Sequence, residues 1–186
     1  NAINGITAGI FGASGQSCIA GSRLYLQDGI YNEFLDKLAV RANKIKIGAP
    51  MDPESEMGPL SNFKQLEIIE KNIKLTVDQG GKIKCGGKRH AFSNEGYYFS
   101  PTIIECDNHN LPVAENELFG PVLSVMKFKT EDEGPNEPKL FSNLRFFKWI
   151  AIFSSTSIAG LFWSHSSIIP GHDTLIEFKN ELLGFA

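Results

Sequence analysis

The 186-residue chain reads as an α/β protein, with helices layered on a mainly parallel sheet. Three observations predict it. Extended runs alternate with runs of near-four-residue hydrophobic period over the first 128 residues. Glycine and proline punctuate the joins between them. A hydrophobic share of 42% is enough for a packed core, while 21% charged residues keep the surface solvated.

Residues 1–16 are small and apolar, with glycines at 5, 9, 12 and 15, and predict a short helix ending in a glycine-rich turn. "SRLYLQ" (22–27) alternates in the manner of a strand. Asp28 is placed to cap the helix that follows, whose apolar residues Ile30, Phe34, Leu38, Ala42 and Ile45 return about every four positions. Three prolines and two glycines make 47–62 a loop. A second amphipathic helix then turns Leu66, Ile69, Ile73 and Val77 inward and is closed by Gly80 and Gly81. Extended pieces follow at 82–87, 97–105 and 122–128.

The character changes after "KTEDE" (129–133). "GPNEP" (134–138) is a breaker, and residues 134–186 hold both tryptophans and seven of the fourteen phenylalanines. Two units are therefore expected, 1–133 and a divergent, unassigned tail at 134–186. The uncharged run from Trp149 to Ser164 is shorter than the ~20 apolar residues of a membrane span and includes Ser154, Ser155, Thr156 and Ser157. No membrane partner is expected.

A net charge of −3 supplies no basic field for phosphates, so nucleic acid is excluded as a partner. Three cysteines, at 18, 85 and 106, make no disulfide framework and point to a reducing, cytoplasmic setting. The four histidines show no zinc-ligand spacing with them, so no metal is expected. The first residue is Asn1, which fits processing or a piece cut from a longer chain.

"FGASGQSCIAGSR" (11–23) carries the chemistry. A cysteine is a useful nucleophile as thiolate, and small neighbours let backbone N–H groups and a substrate carbonyl come close. The N–H of Cys18 itself could then donate to a forming oxyanion. Read from these residues alone, Cys18 could equally be a buried thiol beside a turn. Cys85 and Cys106 lie in strand-like surroundings without such a pocket and read as structural.

Phe11, Gly15, Gln16, Cys18, Ala20 and Arg23 resemble the active-site cysteine motif of the aldehyde dehydrogenase superfamily. "ENELFGPVLSV" (115–125) resembles that family's second signature at a similar distance downstream. "MGPLSN" (57–62), "CGGKR" (85–89) and "GYYFSPTII" (96–104) are similar to it as well, in the same order, so the resemblance covers 1–133.

The resemblance implies that 1–133 is part of a three-layer catalytic domain, taken from a homo-oligomeric parent that oxidises a small aldehyde with NAD or NADP. It implies Cys18 as nucleophile, Glu117 as acceptor for the nicotinamide ribose hydroxyls, and Phe119 beside the nicotinamide. Without the motif, Glu117 is a solvated loop acid and Phe119 a core aromatic. Gln16 and Arg23 read as structural, holding the loop and pairing a nearby acid or carbonyl.

The family's glutamate base, its second oxyanion donor and its dinucleotide-binding domain fall before Asn1, so the isolated chain is expected to be inactive. Residues 134–186 resemble nothing of the family, which suits a shifted reading frame. A non-catalytic remnant with a new partner-binding tail is the alternative. A cysteine hydrolase using His90 or His109 is a third reading.

Overall fold

The computed structural model describes residues 2–92 and 96–129, together with the backbone of three strands at 149–152, 160–163 and 174–177. Helix α1 (Ala2–Phe11) buries Ile6, Thr7, Ile10 and Phe11, one stripe at the three-to-four spacing of a helix. It is followed by β1 (Arg23–Gln27), α2 (Tyr31–Asn43), α3 (Phe63–Asp78), β2 (Lys82–Cys85), β3 (Thr102–Glu105), the single turn α4 (Pro112–Glu115) and β4 (Val122–Phe128). The strands of this part lie in the order β2-β3-β4-β1, with β3, β4 and β1 parallel and β2 antiparallel at the edge. The backbone of β5 (Trp149–Ile152) pairs parallel with the other edge of β1, and β6 (Gly160–Trp163) and β7 (Thr174–Glu177) continue antiparallel from it. The rest of the tail expected at 134–186 lies outside the described residues.

Period-two alternation in β1 and β4 builds the three layers. Leu24, Leu26, Leu123 and Val125 join the core under α1 and α2, while Tyr25, Val122, Met126 and Phe128 join the core under α3 and α4. Helices on both faces explain why these strands are apolar along nearly their whole length.

Three expectations need correction. Asp28 does not cap α2: it opens a 3₁₀ turn (Asp28–Ile30), and its carboxylate pairs with Lys127 at 3.0 Å. The extra turn rotates α2 so that Tyr31, Leu35, Leu38, Ala39 and Ala42 are buried, with Ile30 and Phe34 only partly so. In α3 the inward stripe is Leu66, Ile69, Ile73 and Thr76, while Val77 is exposed. Thr76 fits because its hydroxyl accepts the Val113 N–H at 3.1 Å, giving a buried polar atom its partner. Gly80 and Gly81 close α3 as expected, through bonds to the Val77 and Thr76 carbonyls. Of 97–105, only Thr102–Glu105 is strand; Tyr97 and Phe99 form isolated bridges to Leu60 and Arg89.

Candidate active site

The chain leaves α1 through a tight left-handed turn. Ala13 (φ 49°), Ser14 (φ 56°) and Gly15 (φ 69°) are consecutive left-handed residues, which for a non-glycine costs roughly 1–2 kcal/mol each. The cost is offset by fixed partners. Ser14 is buried and donates to the Gly58 carbonyl at 2.8 Å, and the Gln16 N–H closes the turn on the Ala13 carbonyl at 3.0 Å. Gln16 then grips Ser61 twice: its Oε1 accepts the Ser61 N–H at 2.9 Å and its Nε2 donates to the Ser61 Oγ at 3.2 Å. A second turn carries Cys18, with Ala20 N–H bonded to the Ser17 carbonyl at 2.9 Å and Gly21 N–H tied back to Gly9 at 3.1 Å.

Cys18 is exposed at the tip of this turn. Among the described residues its N–H donates to no acceptor, so a donor stands open beside the sulfur. Cys85 and Cys106 are buried instead. Burial, with the Asp107 and Glu105 charges behind it, pushes the Cys106 thiol up to about 12, and burial raises the Cys85 thiol too. Those two sulfurs stay protonated and unreactive near neutrality.

The loop bearing Glu117 and Phe119 packs on the first turn. A Cβ added at Gly15 would collide with the Gly120 carbonyl and stand 2.8 Å from the Pro121 nitrogen. Gly120 in turn faces Ile69 of α3, and a Cβ there would run into the end of that side chain. Two glycines thus let two loops and a helix meet at backbone distance. Glu117 and Phe119 are both exposed, and Phe119 is held left-handed at φ 50°.

Arg23, the first residue of β1, crosses from the cysteine segment to this loop. Its Nε donates to the Ala114 carbonyl and its Nη2 to the Glu115 carbonyl at 2.9 Å. Burial lowers its pKa to about 10, with the charges of Tyr25 and Glu117 acting against that fall, so it remains cationic at neutral pH. Gln16 and Arg23 therefore have the structural partners that their reading as loop holders requires. Sequence reasoning missed Ser61 and Gln65, whose Nε2 donates to the Leu118 carbonyl. The only available signal was their position in and just after "MGPLSN".

His109 Nδ1 lies 3.4 Å from the Tyr25 hydroxyl and 3.1 Å from the Met126 sulfur. His90 belongs to the segment paired with 97–99, where its N–H donates to the Tyr98 carbonyl at 2.9 Å. Among the described residues no three His, Cys, Asp or Glu side chains are grouped as a metal site. No helix among them is long and apolar enough to cross a membrane.

The model of the aldehyde dehydrogenase family matches residues 1–136. The (Z)-2-((N-methylformamido)methylene)-5-hydroxybutyrolactone dehydrogenase of Acinetobacter baylyi is 46% identical over 134 residues, 72% of this chain and 27% of that protein. The betaine aldehyde dehydrogenase of Mesorhizobium japonicum is 38% identical over 135 residues, covering 72% and 28%. The crystal structure of PnpE in complex with nicotinamide adenine dinucleotide superposes with a TM-score of 0.68 at 39% identity, covering 71% of this chain and 27% of that one. The chain spans about a quarter of the length of the curated relatives it matches.

Proposed function

The chain belongs to the aldehyde dehydrogenase family, and from that premise we propose that it carries the nucleophile and part of the cofactor-facing wall of an NAD(P)-dependent aldehyde dehydrogenase. The observation that supports the reading most is the packing of Gly15 on Gly120. It brings the backbone three residues before the exposed Cys18 against the backbone three residues after Glu117.

The donor set suits a nicotinamide nucleotide. An exposed carboxylate at Glu117 can accept from two neighbouring ribose hydroxyls, and the exposed Phe119 ring offers an apolar face to the nicotinamide. When bound, that group supplies the hydride acceptor.

The remaining chemistry belongs to Cys18. Its thiolate forms a bond to the aldehyde carbon, the carbonyl π pair moves to oxygen, and the Cys18 N–H donates to that oxyanion. Loss of hydride from the carbon collapses the thiohemiacetal to a thioester. Water cleaves the carbon–sulfur bond, releasing the carboxylic acid and returning the thiol. Arg23 keeps the Glu117 loop in register with the strand that follows the nucleophile.

We propose that these 186 residues alone do not turn over, because they span only about a quarter of the length of the curated relatives. The test joins two measurements. Nicotinamide mononucleotide titrated into the chain should shift the amide signals of residues 116–120 saturably, and less so in Glu117→Ala. No NADH or NADPH should appear with aldehyde and dinucleotide. Shifts that are absent, or unchanged in Glu117→Ala, refute the cofactor role; dinucleotide reduction refutes the inactivity.

A further inference from the structure

We infer that the first turn of α3 is a clamp that sets the register of the two loops, with Gln65 as the positioning residue for the loop of Glu117 and Phe119. The inference rests on reading those two residues as cofactor contacts. Neither loop has a regular element of its own at the critical point, and each takes a side-chain bond from the same stretch of chain. Ser61, directly before the cap of α3, is gripped by Gln16 through its N–H and its hydroxyl, at 2.9 and 3.2 Å. Four residues on, Gln65 sends its Nε2 to the Leu118 carbonyl. Four further on, Ile69 closes the space behind Gly120. Gln65 and Ile69 lie one helical turn apart and share one face of α3, and Ser61 stands just before the extended cap at its start. This stretch meets the cysteine turn at Ser61 and the 118–120 backbone at Gln65 and Ile69.

The bond to Leu118 falls where it controls conformation. The Leu118 carbonyl and the Phe119 N–H share one rigid peptide plane, and the φ of Phe119 is the rotation of that plane against the rest of the residue. Phe119 is held at +50°, a region that a residue with a Cβ leaves when nothing holds it. Gln65 fixes one side of that rotation, and Gly120 against Ile69 fixes the other. The Asn62 cap makes the clamp stiff: its side chain accepts the Gln65 N–H at 2.8 Å, so the residue that holds Leu118 is itself held at the start of α3. Losing the Gln65 donor should let the plane turn, carrying the Phe119 ring and the Glu117 carboxylate away from a common ligand while Cys18 stays in place.

The test uses the full chain with Gln65→Leu, Gln65→Glu and Gln65→Lys. Leucine removes the donor at similar volume, glutamate sets a carboxylate against the carbonyl, and lysine keeps a donor of similar reach. The first readout is the three-bond HN–Hα coupling of Phe119, which reports the φ held at +50°. It should leave its wild-type value in Gln65→Leu and Gln65→Glu, stay close to it in Gln65→Lys, and be matched by unchanged couplings in β1 and β4. The second is the dissociation constant for nicotinamide mononucleotide, expected to rise at least about threefold in the first two variants, while Cys18 alkylation by iodoacetamide stays within about twofold. A Phe119 coupling equal to wild type in Gln65→Leu and Gln65→Glu, or an equal change in the leucine and lysine variants, overturns the clamp. So does a change spread through the whole sheet. If Gln65→Leu does not fold, the contrast between Gln65→Glu and Gln65→Lys decides. Failure of wild type itself to bind the mononucleotide sinks the cofactor reading, and the Phe119 coupling still decides the clamp.

Discussion

The α carbon of Gly15 rests against the carbonyl of Gly120, at a distance that no side chain at position 15 could tolerate. That contact joins the segment leading into Cys18 to the segment leaving Glu117 and Phe119. Alanine at position 15 meets both a left-handed φ of 69° and the Gly120 carbonyl. Gly15→Ala should therefore destabilise the chain by about 2–3 kcal/mol. Gly5→Ala, inside α1 with open space around it, should stabilise by roughly 0.5–1 kcal/mol. Urea denaturation of the two variants checks both signs.

Arg23 is buried and holds two backbone carbonyls at the end of α4. Arg23→Met keeps most of the volume but leaves the Ala114 and Glu115 carbonyls without their charged donor. The expected loss is about 2–4 kcal/mol, seen as a lower urea midpoint. Arg23→Lys, a single point donor in place of a planar fork, should recover only part of it.

Alkaline pH should weaken the fold. In the unfolded chain Cys106 ionises near the ordinary thiol value of 9.0 and Tyr25 near 10.0, whereas burial pushes both up to about 12 in the native state. Burial and the neighbouring Glu105 raise Tyr31 in the same direction. Above about pH 9 the native chain then binds more protons than the unfolded one, so its stability falls as pH rises towards about 12. Arg23, lowered from 12.5 to about 10, works in the opposite direction over the upper part of that window and offsets only some of the loss. Urea midpoints at about pH 8 and about pH 10.5 should differ, with the alkaline value lower.

The start of α3 offers a local test. Asn62 accepts the Gln65 N–H at 2.8 Å as the helix cap. Asn62→Ala should cost about 1 kcal/mol in thermal or urea unfolding. It should also speed hydrogen exchange in the first turn of α3 more than in β1.

The layered α/β class was legible because the strands alternate and the helices repeat, and both patterns follow from burial. The parts that were not legible turned on single turns and single bonds. Asp28 has the side chain of a cap, but a 3₁₀ turn follows it and Lys127 takes its carboxylate, so α2 presents Tyr31 and Leu35 inward. Thr76 replaces Val77 in the core because its hydroxyl has a buried partner in the Val113 N–H, which no pattern of α3 alone discloses. Around the site, the cysteine segment and the 115–125 segment were readable as a pair from their resemblance to known motifs. What holds them together was not, since Gly15 on Gly120 and Gln65 on Leu118 are contacts between residues 105 and 53 positions apart.

The most direct measurement of the central claim is acylation of the chain by p-nitrophenyl acetate, with the modified residue mapped by peptide mass. Attack by Cys18 beside an open N–H donor predicts acetylation of Cys18 at least ~10-fold faster than in the same chain unfolded in urea, with Cys85 and Cys106 untouched and no labelling in Cys18→Ser. Cys18 acetylated no faster in the folded chain than in the unfolded one would contradict the account, because the turn would then hold an ordinary thiol.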